Sequence, residues 1–161
     1  MAEKALIAGL GELRVSRDPQ VILVAYGLGS CVGVCAYDPV SRVAGLLHAM
    51  LPESNGFPQS NPAKFVSTGI PSLLEEMIRQ GASCQRLVFK VAGGARMLDL
   101  PGFNRIFDVG ARNVATTLEI LKQKGLRLTA SDIGGTAGRT VRLFVETGRV
   151  MVKTLGQEKE L

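Results

Sequence analysis

The chain has 161 residues, 46% of them hydrophobic and 20% charged, and a formal net charge of +5. That is one domain's length with enough apolar content for a core, which excludes a disordered or fibrous chain. No apolar run approaches the roughly 20 residues of a membrane-spanning helix, and the basic residues are scattered without interleaved Phe or Tyr, which argues against a nucleic-acid surface.

The first residues carry an early acid, Glu3, and too short an apolar piece for a secretory leader. Three cysteines, an odd number, do not suggest a disulfide framework. Cys31 and Cys35 are four apart, about 13 Å along an extended strand, too far for a bridge. The expectation is a reduced, cytoplasmic protein with a mildly basic surface that suits an acidic protein partner.

In chain order, residues 6–16 read as one short opening strand, and Asp18-Pro19 as a turn. Val21 to Tyr26 is a continuous apolar run, predicted to be a strand buried on both faces and broken by Gly27 and Gly29. Val32 to Tyr37 is the next strand, Asp38-Pro39 turns the chain, and Val43 to Met50 is its hairpin partner. Residues 52–61 form a loop. Asn61-Pro62 predicts a helix start, running to Gln80 with a kink or a break at Pro71 and a stop at Gly81. Leu87 to Val91 is a strand closed by Gly93-Gly94, and 98–108 is irregular. A second helix opens at Gly110 and runs through Lys124 to Gly125. Leu126 to Ser131 is a strand, and Thr140 to Glu146 with Val150 to Leu155 is a hairpin. The charged tail, 156–161, is predicted to fray. The hairpin-like connections argue against a doubly wound parallel sheet. The fold class expected is α/β (α+β): a single domain over 1–161, of mixed and largely antiparallel β-sheets layered against two main helices.

One stretch carries chemistry. Gly27-Leu-Gly29-Ser30-Cys31-Val-Gly33 delivers a cysteine at the mouth of an apolar strand, and His48, the chain's one histidine, lies in the partner strand. A thiol is a weak nucleophile until a base or positive charge favours the thiolate, and an imidazole can serve. Free Cys is also a common small core residue, and Cys and His at this spacing leave both readings open. Other constellations fall away. Gly27-x-Gly29 lacks the third glycine and following helix of a dinucleotide loop. The glycines at 134, 135 and 138 precede no Gly-Lys-Ser/Thr and read as a turn. One His and three Cys without a C-x-x-C pair make a poor zinc set, so no metal or cofactor is expected. Arg112 and Asn113 either bind substrate or open the second helix and satisfy local backbone.

Gly-Leu-Gly-Ser-Cys-Val-Gly-Val at 27–34, Tyr-Asp-Pro at 37–39 and His-Ala-Met-Leu-Pro-Glu-Ser at 48–54 resemble the chemoreceptor glutamine deamidase family, CheD. So do Ala-Gly-Gly-Ala at 92–95, Gly-Ala-Arg-Asn-Val at 110–114 and Asp-Ile-Gly-Gly at 132–135. The resemblance covers roughly Val21 to Lys153 in the family's order. It implies hydrolysis of glutamine side-chain amides on methyl-accepting chemotaxis receptors, with Cys31 as nucleophile and His48 as its partner. It also implies a CheC-type phosphatase as partner and a layered fold similar to toxin-type cysteine deamidases. Backbone N–H groups around Gly29, Ser30 and Cys31 would hold the oxyanion. The family's third catalytic member is a threonine six residues before the cysteine, where this chain has Ala25. A neighbouring strand's backbone carbonyl is then expected to orient His48, roughly 2.7–3.2 Å from a ring nitrogen, with the Cys31 sulfur within about 4 Å of the ring. Ala25 keeps open the alternative of a binding module without activity that holds receptors or the phosphatase, and another thiol hydrolase, such as a peptidase or amidase, is a third reading.

Overall fold

The computed structural model describes residues 3–54, 61–97 and 108–161. Ten strands form two five-stranded sheets. Strand β1 (Lys4–Ile7), β3 (Val21–Leu28), β8 (Arg139–Phe144), β9 (Val150–Thr154) and β10 (Gln157–Glu160) make the first, in that spatial order. The second runs β2 (Glu12–Ser16), β5 (Val43–Ala49), β4 (Val32–Asp38), β6 (Val88–Gly93), β7 (Arg127–Ile133). Only the outer pairs β1–β3 and β6–β7 are parallel among the described strands; the others are antiparallel. Helices α1 (Val66–Arg79) and α2 (Val109–Gln123) cover the second sheet. The mixed α/β class and the layered arrangement are those read from the sequence.

Alternation along the strands builds the layers. Val32, Val34 and Ala36 of β4, with Val43, Leu47 and Ala49 of β5, face Ile70, Leu73 and Met77 of α1. The intervening residues, Cys35, Tyr37, Ala44 and Leu46, face Leu23, Ala25, Val141 and Leu143 of the first sheet. The second sheet is thus the middle layer, buried on both sides, and its central strands read as unbroken apolar runs for that reason. The turn after β4 is clamped by Asp38, which accepts from the Val40, Ser41 and Ser83 N–H groups and from Arg86. Burial pushes its carboxyl up, but the Arg86 guanidinium and those N–H groups outweigh it and hold the group well below the usual carboxylate range.

Four expectations need correction. Residues 6–16 are two strands, one in each sheet, with the crossing made at Gly9-Leu-Gly11. Gly11 has φ +67°, a conformation a β-branched or bulky residue resists. Gly27 does not end its strand: β3 continues to Leu28 through a bulge between Ala25 and Leu28, with Gly27 at φ +62°. Pro62 opens only a short 3-10 turn (Pro62–Lys64), and α1 starts after it at Val66 and runs as one helix through Pro71. The charged tail pairs with β9 as β10 instead of fraying, and Lys90 Nζ donates to the Leu161 carbonyl at 2.6 Å. Most of the loop expected at 52–61 and of the irregular stretch at 98–108 lies outside the described residues. No described helix is long and apolar enough to cross a membrane.

Candidate active site

Cys31 ends the turn from β3 into β4, one residue before the ladder begins. Its side chain belongs to the core between the two sheets and is 9% exposed. The turn is fixed by its carbonyls. Gly29 O accepts from Ala95 N and Cys31 O from Gly94 N, each at 2.8 Å. Ser30 O accepts from Asn113 Nδ2, also at 2.8 Å. In a trans peptide the N–H points opposite the preceding C=O. Pinning Gly29 O and Ser30 O therefore turns the Ser30 and Cys31 N–H groups to the other side, and among the described residues neither meets a backbone acceptor.

His48 sits on β5 directly across from Gly33 of β4 on one side and Glu12 of β2 on the other. Gly33 and Cys31 are two residues apart, so Cys31 and His48 occupy the same face as diagonal neighbours. His48 is 1% exposed. Its Nδ1 lies 2.9 Å from the Ala8 carbonyl. A carbonyl only accepts, so Nδ1 carries the proton and Nε2 keeps the lone pair of the neutral ring. Nε2 is buried with no hydrogen-bond partner among the described residues, so the expected sulfur–imidazole contact is not a formed hydrogen bond here.

Ala8 reaches the ring because β1 runs parallel to β3. The register continues from the Ile7–Val24 pair to Ala8, whose N–H donates to Val24 O at 2.8 Å. Ala8 therefore stands beside Ala25, which is fully buried between the sheets. A backbone oxygen does lie within the expected range of roughly 2.7–3.2 Å from a His48 ring nitrogen, but it comes from the segment just after β1 of the other sheet and not from a strand beside β5. Glu12 steadies that oxygen's turn: its Oε1 accepts from Gly9 N at 2.8 Å.

The back of the site is a close stack of glycines. Gly93, at φ +110°, leaves no room for a Cβ, which would come 2.3 Å from Cys31 O. Helix α2, capped by Asp108 accepting from Ala111 N at 3.0 Å, lies directly on the Gly94–Ala95 backbone. A Cβ on Gly110 would meet Ala95 O at 2.3 Å and Gly94 O at 2.7 Å, both rigid backbone atoms. Gly110→Ala is expected to lift α2 and cost about 1–3 kcal/mol of stability, read as a lower denaturant midpoint; an unchanged midpoint would mean that the contact yields freely. Gly134 N donates to Gly93 O, and the buried Arg139 donates to Gly134 O at 2.7 Å, so the glycines at 134 and 135 form a supporting turn.

Burial dominates the electrostatics. It pushes the Cys31 thiol up, against a smaller opposing pull from its own backbone N–H. It pushes the His48 imidazole down, against smaller opposing effects of the Ala8 carbonyl and Glu12. Both shifts favour the uncharged form, thiol for Cys31 and imidazole for His48. Cys35, deeper on the same face, is pushed up by burial to about 12, and Cys84 is exposed at the far end of α1.

Residues 50–154 match the family model described as CheD chemotactic sensory transduction. A relative from Symbiobacterium thermophilum, named probable chemoreceptor glutamine deamidase CheD, is 47% identical over 165 residues, covering all of both chains. The chain belongs to the CheD family. A Thermotoga maritima relative, named chemoreceptor glutamine deamidase CheD, is 42% identical over 96% of this chain and 95% of its own. A crystal structure of a Neisseria meningitidis DUF152 protein shares the fold alone, with a TM-score of 0.51 at 9% identity over 80% of this chain and 64% of that one.

In this CheD chain the structure brings Gly29, Ser30, Cys31 and His48 to one inter-sheet site. It places Cys84 elsewhere. Asn113 does not open the helix: it is a buried residue of the second turn, facing the backbone just before Cys31. Arg112 is exposed. Sequence reasoning missed Ala8 and Glu12. A carbonyl has no side-chain signature, and Glu12 is recognisable only once β2 is set across from His48.

Proposed function

We propose that this protein hydrolyses glutamine side-chain amides on methyl-accepting chemotaxis receptors to glutamate, releasing ammonia. The observation that carries the reading is the tautomer of His48: Nδ1–H held by Ala8 O leaves Nε2 as an unengaged base on the face shared with Cys31. Because the resting thiol is neutral, His48 Nε2 takes its proton as the sulfur attacks the amide carbon. The oxyanion is received by the Ser30 and Cys31 N–H groups, already turned by their pinned carbonyls. The imidazolium then protonates the departing ammonia. A water, deprotonated by the same nitrogen, cleaves the thioester and restores the thiol. The full-length relatives named chemoreceptor glutamine deamidase support the substrate class. A CheC-type phosphatase is the partner that the family implies.

The test is incubation with a receptor cytoplasmic fragment, reading ammonia and the Gln-to-Glu mass change together. An intact fragment with no ammonia would leave the inactive binding module as the better reading; cleavage of its peptide bonds would indicate a peptidase. The Ala8 carbonyl favours the enzyme, since the orienting role is filled without residue 25. Ala25→Thr is accordingly expected to change kcat by less than about tenfold, because less than ~1.4 kcal/mol of the barrier then depends on that side chain. A rise of orders of magnitude would show that the role is empty in this chain.

A further inference from the structure

We propose that Asn113 is a positioning residue that sets the nucleophile and the base against each other; this rests on the Cys31–His48 reading. Its side-chain nitrogen donates to Ser30 O at 2.8 Å and to Met50 O at 3.0 Å. Both partners are carbonyls, which fixes the amide's orientation: only the NH2 end can face them. Ser30 O belongs to the peptide whose N–H is that of Cys31. Met50 is two residues beyond His48, on the same face of the same chain segment. One side chain therefore joins the backbone on either side of the reacting pair, and it does so from helix α2, outside both sheets.

The arrangement is not explained by stability alone. Asn113 is fully buried, and among the described residues its Oδ1 accepts no hydrogen bond. A buried unsatisfied acceptor is destabilising. What the amide contributes is geometry. It turns the Ser30–Cys31 peptide so that the Cys31 N–H faces away from α2, and it ties that peptide to the strand end that follows His48. The glycine contacts serve the same end, since Gly110 and Gly94 let α2 come close enough for a side chain as short as asparagine to reach both carbonyls.

The experiment compares the full-length protein with Asn113→Ala, Asn113→Ser and Thr117→Val, using a receptor cytoplasmic fragment as substrate. Thr117 is the control. It is buried one turn further along the same helix, and its hydroxyl donates to Asn113 O at 2.7 Å, within the helix. Asn113→Ala is expected to lower kcat by about 10²-fold with KM within about threefold, the pattern of a misplaced catalytic pair with substrate binding retained. Asn113→Ser, which keeps one donor, should lie between. Thr117→Val should keep kcat within about twofold, since it removes one hydrogen bond within the helix and leaves both Asn113 amide bonds in place. If Asn113→Ala, or Asn113→Ser should the alanine variant not fold, has the kcat of Thr117→Val, the proposal is overturned.

A second readout needs no substrate. Iodoacetamide alkylation of Cys31 should be slower in Asn113→Ala at pH 8, with its pH midpoint moved upward, because the backbone N–H near the sulfur is no longer held. An alkylation profile identical to that of the unaltered protein would also overturn the proposal. If the unaltered protein releases no ammonia, the deamidase reading fails, and the alkylation profile still decides the role of Asn113.

Discussion

Cys31→Ala is expected to abolish deamidation, a loss on the order of 10⁴-fold or more, as when the nucleophile of a hydrolase is removed. The fold should survive. Cys31 sits at the border of the inter-sheet core beside a turn whose carbonyls are bonded to Ala95, Asn113 and Gly94, and none of those bonds uses its side chain. Its two fellow cysteines provide the contrast. Cys35 is packed among Tyr37, Leu46 and Leu143 with its thiol pushed to about 12. Cys35→Ala should cost packing, about 1 kcal/mol, with near-normal turnover. Cys84 is exposed, and its replacement should change neither. Ammonia release and thermal melting on the three variants check this together. Normal turnover in Cys31→Ala would end the thiol mechanism.

His48→Ala is expected to lower kcat by roughly 10²–10⁴-fold, the usual worth of a positioned general base, and to slow alkylation of Cys31 at neutral pH. The pH dependence follows from the direction of its shift. Burial lowers the imidazole below its ordinary 6.5, and the Ala8 carbonyl and Glu12 only partly offset this. The folded protein therefore binds fewer protons than the unfolded chain in the window below 6.5, and stability falls as pH drops through it. His48→Ala should be less sensitive to acid in that window. The same shift sets the activity. Nε2 must be unprotonated to act as base, so the acidic limb of kcat/KM should have its midpoint below 6.5. A midpoint above 6.5 would contradict a base lowered by burial.

Much of the site was legible in the sequence, and the limits of that reading have physical causes. The Gly-x-Gly-Ser-Cys turn and the strand carrying His48 announce themselves through glycine spacing and apolar runs. The hairpin of residues 32–49 then brings Cys31 and His48 to one face. The replacement for a threonine at 25 was foreseeable only as a class, a backbone carbonyl, because every strand residue offers one. Which carbonyl depends on the parallel register of β1 on β3, and a short exposed strand such as Lys4–Ile7 carries little pattern to announce it. The sheet change at Gly9-Leu-Gly11 was missed for a related reason: two strands separated by four residues look like one apolar stretch until their partners are known. Asn113 was ambiguous because a polar residue near a helix start ordinarily serves that helix, whereas here it serves the chain opposite. The tail was misread because its charges fit exposure, and an edge strand is exposed too.

The His48 ring and the oxygen bonded to it belong to different sheets. His48 is in the middle layer, and Ala8 is hydrogen-bonded into the outer one through Val24. The spacing of the two sheets therefore governs how near that carbonyl comes to the ring. Val141, which pairs with Ala25, and Leu143 fill the space between the sheets. Trimming that filling is expected to loosen the hold on the imidazole, read as turnover lost at temperatures below the melting midpoint.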